Sequence, residues 1–241
     1  MKRTLVIGDI HGGLRALKQV LERANVTIND TLIFLGDYVD GWSESAQLID
    51  FLIDINNTHR CIFILGNHDA WCMTFLQTNN APNEWLFSGG QSTIESYKNL
   101  KFDKLSHLNF FQRMKDYYID ENNKLFIHAG FSSMNGPSKE HYSTNFSWDR
   151  TLWETAVAMD KHLKKNSELF PKRLLLFNEI YIGHTPTLNY KIDTPMNKAN
   201  VWNIDTGAAF TGKLSILDID TKEFWQSDAL TELYPNEKGR N

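Results

Sequence analysis

The 241 residues carry a formal charge of −4, with 41 % hydrophobic and 22 % charged side chains, an ordinary globular composition able to bury a sizeable core. No basic field is present that would hold a nucleic acid or an anionic membrane, so a site that seeks phosphate needs positive charge supplied locally. No apolar run approaches the ~18 residues of a membrane span, and Gly8 and Asp9 interrupt the first apolar stretch before it reaches the length of a secretory signal, so a cytoplasmic location is expected.

In chain order, "RTLVIGD" is a short strand, and "LRALKQVLERA" sets Leu14, Leu17, Val20, Leu21 and Ala24 at helical spacing. The order repeats in "TLIFLGD" and "SESAQLIDFLIDI", with Ser43 or Ser45 expected as N-cap, and again in "CIFILGNHD" leading into the helix "AWCMTFLQ". Three βα units in succession predict a parallel sheet with right-handed crossovers, hence an α/β fold. From about 83 to 120 the pattern turns helical, irregular and aromatic, and reads as a mostly helical insert within one domain spanning 1–241. Its aromatics, with Trp71, read mainly as core, and a substrate-cleft lining is the other reading. "GGQST" lacks the lysine of a P-loop and is expected to turn the chain and cap a helix beginning near Ile94. The β pattern returns in "KLFIHAG", "NEIYIGHT", "NVWNIDTG", "KLSILDID" and "EFWQS", with a helix expected over "DRTLWETAVAMDKHLKK" and fraying over "NEKGRN". Cys61 and Cys72 are too few for a disulfide framework and read as reduced, packed thiols.

Five strand candidates end in a small residue beside a metal-capable side chain: Gly8-Asp9-Ile10-His11, Gly36-Asp37, Gly66-Asn67-His68-Asp69, His128-Ala129-Gly130 and Gly183-His184-Thr185. Singly each has a plain structural explanation, with Asp9 a turn former, Asn67 a cap, and His128 or His184 a satisfied core histidine. Jointly they point to convergence, because the carboxyl ends of strands in an open α/β sheet line one crevice. Glycine suits these positions, since a backbone turning sharply beside an ion has no room for Cβ. Carboxylate, imidazole and amide oxygen together suit Mn, Fe or Zn better than the all-oxygen cage of Ca.

Read in order, "GDIHG", "GDYVDG", "GNHD", "HAG" and "GHT" resemble the phosphoprotein phosphatase branch of the calcineurin-like metallophosphoesterases, in particular its compact bacterial and phage serine/threonine phosphatases. The resemblance implies a four-layer α/β/β/α sandwich of two mixed sheets flanked by helices, which periodicity alone does not give. It implies two divalent ions, Mn(II) foremost with Fe or Zn as alternatives. Asp9, His11 and Asp37 would hold one; Asp37 as bridge, Asn67, His128 and His184 would hold the other. A carboxylate shared by cations roughly 3.5–4 Å apart offsets their repulsion, and a water between them is held as hydroxide, the implied nucleophile. His68 would donate a proton to the departing alkoxide, and Asp40 would orient His68 and stabilise its charged form. The other reading of Asp40 is a turn residue before Gly41.

One departure from the pattern bears on substrate. Gly41 stands where protein-phosphatase members carry an arginine that clamps a phosphate oxygen, so phosphate binding would rest on the metals, Asn67 and Arg150 of "SWDRTLW", which resembles the family's other clamp and otherwise reads as a surface arginine. Trp42 is expected to present an apolar face to the leaving group. The implied activity is hydrolysis of phosphomonoesters, either phosphoprotein or small aryl and alkyl phosphates. The alternatives are a nucleotide pyrophosphohydrolase such as a symmetrical diadenosine tetraphosphatase, and a catalytically silent metal-bound interaction module. The expected partner is a phosphorylated substrate, with no nucleic acid and no membrane.

Overall fold

Short strands that are apolar on both faces need cover on both sides. In the computed structural model, which describes residues 2–99 and 101–240, β1 (Thr4–Ile7) turns Leu5 and Ile7 to one face and Val6 to the other. β2 (Thr31–Phe34) does the same with Leu32 and Phe34 against Ile33. With β3 (Arg60–Phe63) they pair in parallel, and the register aligns Val6, Ile33 and Ile62 on one face.

The second half of the sequence builds a matching sheet. β4 (Tyr117–Ile119) pairs antiparallel with β5 (Lys124–Ile127), which runs parallel to β6 (Glu179–Ile182). β7 (Met196–Lys198) turns back onto β8 (Val201–Asn203), itself parallel to β6. The chain then returns to the first sheet, where β9 (Ser215–Asp218) pairs antiparallel with β1, and β10 (Phe224–Gln226) forms the edge. Among the described residues these make two mixed five-stranded sheets, ordered β10-β9-β1-β2-β3 and β4-β5-β6-β8-β7.

The sheets stack on Val6, Ile33, Ile62 and Leu217 from one and Phe126 and Tyr181 from the other, and the Phe126 and Tyr181 rings stack at 4.9 Å. The outer face of the first sheet is covered by α1 (Leu14–Arg23), α2 (Ser45–Asn56) and α3 (Asn67–Thr78). Onto these pack α4 (Asn83–Trp85), α5 (Gln91–Asn99) and α6 (Lys104–Gln112). On the second sheet lie α7 (Asn145–Trp148) and α8 (Thr151–Ala158), through Phe146, Leu152, Trp153 and Ala156. The result is the four-layer α/β/β/α sandwich that the resemblance implied. Among the described residues no helix is long and apolar enough to cross a membrane.

Several local expectations need correction. The helix expected to run on from Asp149 ends at Ala158, where Met159 is already extended. Neither Ser43 nor Ser45 caps α2; Glu44 holds the cap position and Ser45 is its first residue, with its hydroxyl turned inward. α5 starts at Gln91 rather than near Ile94. Helix α3 begins at Asn67, so Asn67, His68 and Asp69 of "GNHD" are helical rather than loop. Residues 117–119, within the span read as helical, form edge strand β4.

Candidate metal centre and active site

Six parallel strands, three per sheet, deliver the candidate residues from their carboxyl ends. β1 leads to Asp9 and His11, β2 to Asp37 and Asp40, and β3 to Asn67 and His68; β5, β6 and β8 lead to His128, His184 and Asp205. The loops are laced together, since the Asp37 carbonyl accepts the N–H groups of Ile10 and His11, each at 3.0 Å. His11, Asp37, Asp40 and His184 adopt positive φ of 53°, 53°, 74° and 67°, a conformation that costs non-glycine residues energy and gathers at functional sites. The neighbouring glycines are there for close approach: a Cβ at Gly66 would lie 2.1 Å from Asp37 Oδ1, and one at Gly183 2.0 Å from Asp9 Oδ1.

Asp37 is the hub. Its Oδ2 lies 3.4 Å from His128 Nε2, 3.6 Å from His11 Nε2 and 4.0 Å from His68 Nε2. Asn67 Oδ1 lies 3.2 Å from His128 Nε2 and 3.1 Å from His184 Nδ1. Two groups thus have donor atoms within 4.8 Å of one another: His11, Asp37 and His68, and Asp37, His128 and His184. Asp9 is in neither trio; its Oδ2 accepts the His184 N–H at 3.0 Å. Its Oδ1 is buried without a partner, as is His184 Nε2.

The electrostatics show what such a cluster favours. Burial opposes the Asp37 charge, yet His128, His68 and His11 hold its pKa well below the usual carboxylate range. Burial works against a charged His128 as well, but Asp37 and Asp9 outweigh it and push its pKa up to about 10. Burial and then Asp205 drive Asp9 well above its ordinary value, while burial lowers His11, aided by His68 and Arg240. Carboxylates packed this tightly need positive charge between them. Mixed oxygen and nitrogen donors, with a partnerless buried carboxylate oxygen, fit divalent cations.

His68 and Asp40 form a buried pair. His68 Nδ1 lies 2.5 Å from Asp40 Oδ2, which leaves Nε2 on the Asp37 side. Asp40 is fully buried and completely satisfied: Trp85 Nε1 donates to Oδ2 at 2.7 Å and Thr93 Oγ1 to Oδ1 at 2.6 Å. "GGQST" therefore contributes a ligand for Asp40 as well as a turn. Asp69 fixes the same loops from behind, accepting the N–H of Tyr38 through Oδ1 and those of Asp37 and Gly66 through Oδ2. Burial and then Asp37 raise its pKa to about 7.

A cavity of about 330 Å³ opens over these residues, with His11, Asn67, His68 and His184 in its lining. Trp71 and Trp148 meet edge to face at 5.1 Å on one wall, where Trp148 is 44 % exposed. Arg150, at the N-cap of α8, lines the cavity, and so do Asp205, Phe210 and Arg240. Trp42 does not: it is fully buried, donates Nε1–H to the Ala208 carbonyl at 2.7 Å and stacks on Tyr234. "NEKGRN" is not frayed where described, because Glu237 accepts from Ser43 N and Oγ at 2.9 and 2.7 Å and Arg240 N–H donates to Ala209 O at 2.7 Å. Sequence reasoning missed Asp205, Trp85, Thr93 and Arg240. Asp205 alone had a signal, as a carboxylate two residues beyond a strand, hidden because Ile204 rather than glycine precedes it.

With this geometry the comparisons with known proteins agree. The profile of the calcineurin-like phosphoesterases matches residues 2–205. The chain belongs to that family. It is thereby a phosphoesterase of the hydrolase class, in a family that works with divalent metal ions. The asymmetrical bis(5'-nucleosyl)-tetraphosphatase PrpE of Oceanobacillus iheyensis is 24 % identical over 234 residues, covering 91 % of this chain and 89 % of that protein. The symmetrical bis(5'-nucleosyl)-tetraphosphatase of Proteus mirabilis is 24 % identical over 276 residues, covering 95 % and 99 %. The crystal structure of a putative diadenosine tetraphosphatase shares the fold with a TM-score of 0.65 at 15 % identity, covering 94 % of this chain and 93 % of that one.

Proposed function

We propose that this phosphoesterase cleaves the anhydride bonds of dinucleoside polyphosphates, with Mn(II) as the working ion, rather than the phosphoprotein esters first expected. The observation that carries the reading is the cavity, which joins a floor of His11, Asn67, His68 and His184 to a partly exposed tryptophan wall in one space. Base stacking on an aromatic face is worth about 1–3 kcal/mol and suits a nucleotide better than a phosphorylated side chain. Relatives matching nearly the full length carry tetraphosphatase names, which supports the same choice.

Divalent cations held by Asp9, His11, Asp37, Asn67, His128 and His184 would supply positive charge to the phosphoryl oxygens and acidify the attacking water. The rest falls to the chain. Asp40 takes Nδ1 of His68, so a proton on Nε2 faces the cavity and can pass to the bridging oxygen as the P–O bond breaks. Trp85 and Thr93 keep the Asp40 carboxylate from turning away. Arg150 is placed to pair with a phosphate oxygen, a charge-assisted contact.

The test is a panel on Mn(II)-loaded protein: diadenosine tetraphosphate, a phosphoserine peptide and an aryl phosphate. Faster turnover of the dinucleotide is expected, and its products give the cut, two ADP for a symmetrical enzyme or ATP with AMP for an asymmetrical one. Turnover of the peptide with none of the dinucleotide would overturn the reading.

A further inference from the structure

We infer that Arg240 grips the substrate's phosphate in the cavity that Arg150 also lines, reaching it from late in the sequence through the space that Gly41 and Gly89 leave open. The inference rests on the reading of the cavity as a phosphoester site.

The backbone at this point is held. Tyr234 stacks on Trp42 at 5.2 Å, Glu237 receives Ser43, and Arg240 N–H meets the Ala209 carbonyl. The side chain then follows a groove made by missing side chains. A Cβ at Gly89 would come within 2.7 Å of Arg240 Cγ, and one at Gly41 within 3.6 Å of Arg240 N. Gly41 itself has φ of +105°, so this position is shaped for bare backbone with the chain end laid over it, not for an arginine of its own.

The guanidinium ends 5.5 Å over the Phe210 ring, on the cavity wall. Its Nε is buried without a hydrogen-bond partner, and among the described residues the head group makes no ion pair. Arg240 and Arg150 both line the cavity that holds His11, Asn67, His68 and His184. A half-buried guanidinium with an unpartnered Nε gains from an incoming anion, and its planar fork matches phosphate. Two such groups in one cavity suit a substrate that carries more than one phosphate.

The experiment measures inorganic phosphate binding to Mn(II)-loaded protein by calorimetry, with metal content read on the same samples, for the unaltered chain, Arg240→Gln and Arg240→Lys. Arg240→Gln is expected to weaken phosphate about 10- to 100-fold at full metal content, the scale of one charge-assisted contact. Arg240→Lys should fall between, because it keeps the charge and loses the fork. In turnover of diadenosine tetraphosphate, KM should rise more than kcat falls. Unchanged phosphate affinity in Arg240→Gln overturns the inference and leaves the phosphoester reading intact. Loss of metal together with phosphate in both variants also overturns it, showing a structural part instead. If the unaltered, loaded protein binds no phosphate, the reading of the cavity fails and the inference with it.

Discussion

His68 is the proposed proton donor, and its substitution has a graded outcome. His68→Asn should keep the metals and lower kcat by about 10²–10⁴ on an alkyl phosphate, whose alkoxide needs a proton. On diadenosine tetraphosphate the loss should be smaller, because a departing nucleotide phosphate is a far weaker base; equal losses on both would remove His68 from the acid's role. Asp37→Asn should instead lose metal and turnover together, as expected of the hub of both donor groups. Trp85→Phe tests the layer behind, by taking one of three hydrogen bonds from Asp40 while keeping most of the buried ring. A roughly 10- to 100-fold fall in kcat at unchanged metal content is expected, the kinetic equivalent of a lost bond to a charged group. If the Trp85→Phe loss persists undiminished in a His68→Asn background, Trp85 acts on something other than this pair.

At the scale of elements, the ties between strand ends decide both stability and metal affinity. Asp69, on the first turn of α3, accepts backbone N–H groups from the loops after β2 and β3. Asp69→Ala should weaken metal binding about 10- to 100-fold without removing any metal ligand, the usual scale for a group that orients ligands; competition against a chromogenic chelator would measure it. Asp30, at the entrance to β2, is bound by Arg3 at the entrance to β1, with the Arg3–Asp30 ion pair at 2.7 Å. Burial opposes its charge, but Arg3 and the backbone N–H groups of Thr27 and Arg3 hold its pKa at about 2. Since the folded value lies below the usual 3.8, the stabilisation is present above about pH 4 and is lost as pH falls toward 2. Acid unfolding should therefore show Asp30→Asn less stable at pH 6 by about 2 kcal/mol, with the gap closing toward pH 2.

The elements also show what a sequence discloses. β1, β2, β3, β5 and β6 were legible because each is a continuous apolar run closed by glycine or histidine. β4 and β7 were not, being three-residue edge strands whose identity comes from the partner they pair with. The division into two sheets was carried only by the family resemblance, since periodicity reports which residues share a face and not which strands are neighbours. The same limit explains the site. Residues beside strand ends were readable, whereas Trp85 and Thr93 reach Asp40 across 45 and 53 residues of chain. Arg240 sits in a polar stretch whose composition says only that it is exposed.

Over the whole molecule, both ends of the sequence meet at one place. β1 pairs with β2 on one side and with β9 on the other, and the segment beyond β10 lies over the loop after β2. Every metal-centre residue comes before Asp205, while the second guanidinium follows much later. Between the anchored Glu237 and Arg240 stands Lys238, an exposed side chain of the kind trypsin recognises. One cut after Lys238 would free a guanidinium from the cavity and leave the metal centre whole. Mass spectrometry of a timed digest should then find a protein that still carries its metals and has lost most of its hold on phosphate. Added phosphate should slow that cut by fastening Arg240 in place, which would make protease sensitivity a direct readout of an occupied active site.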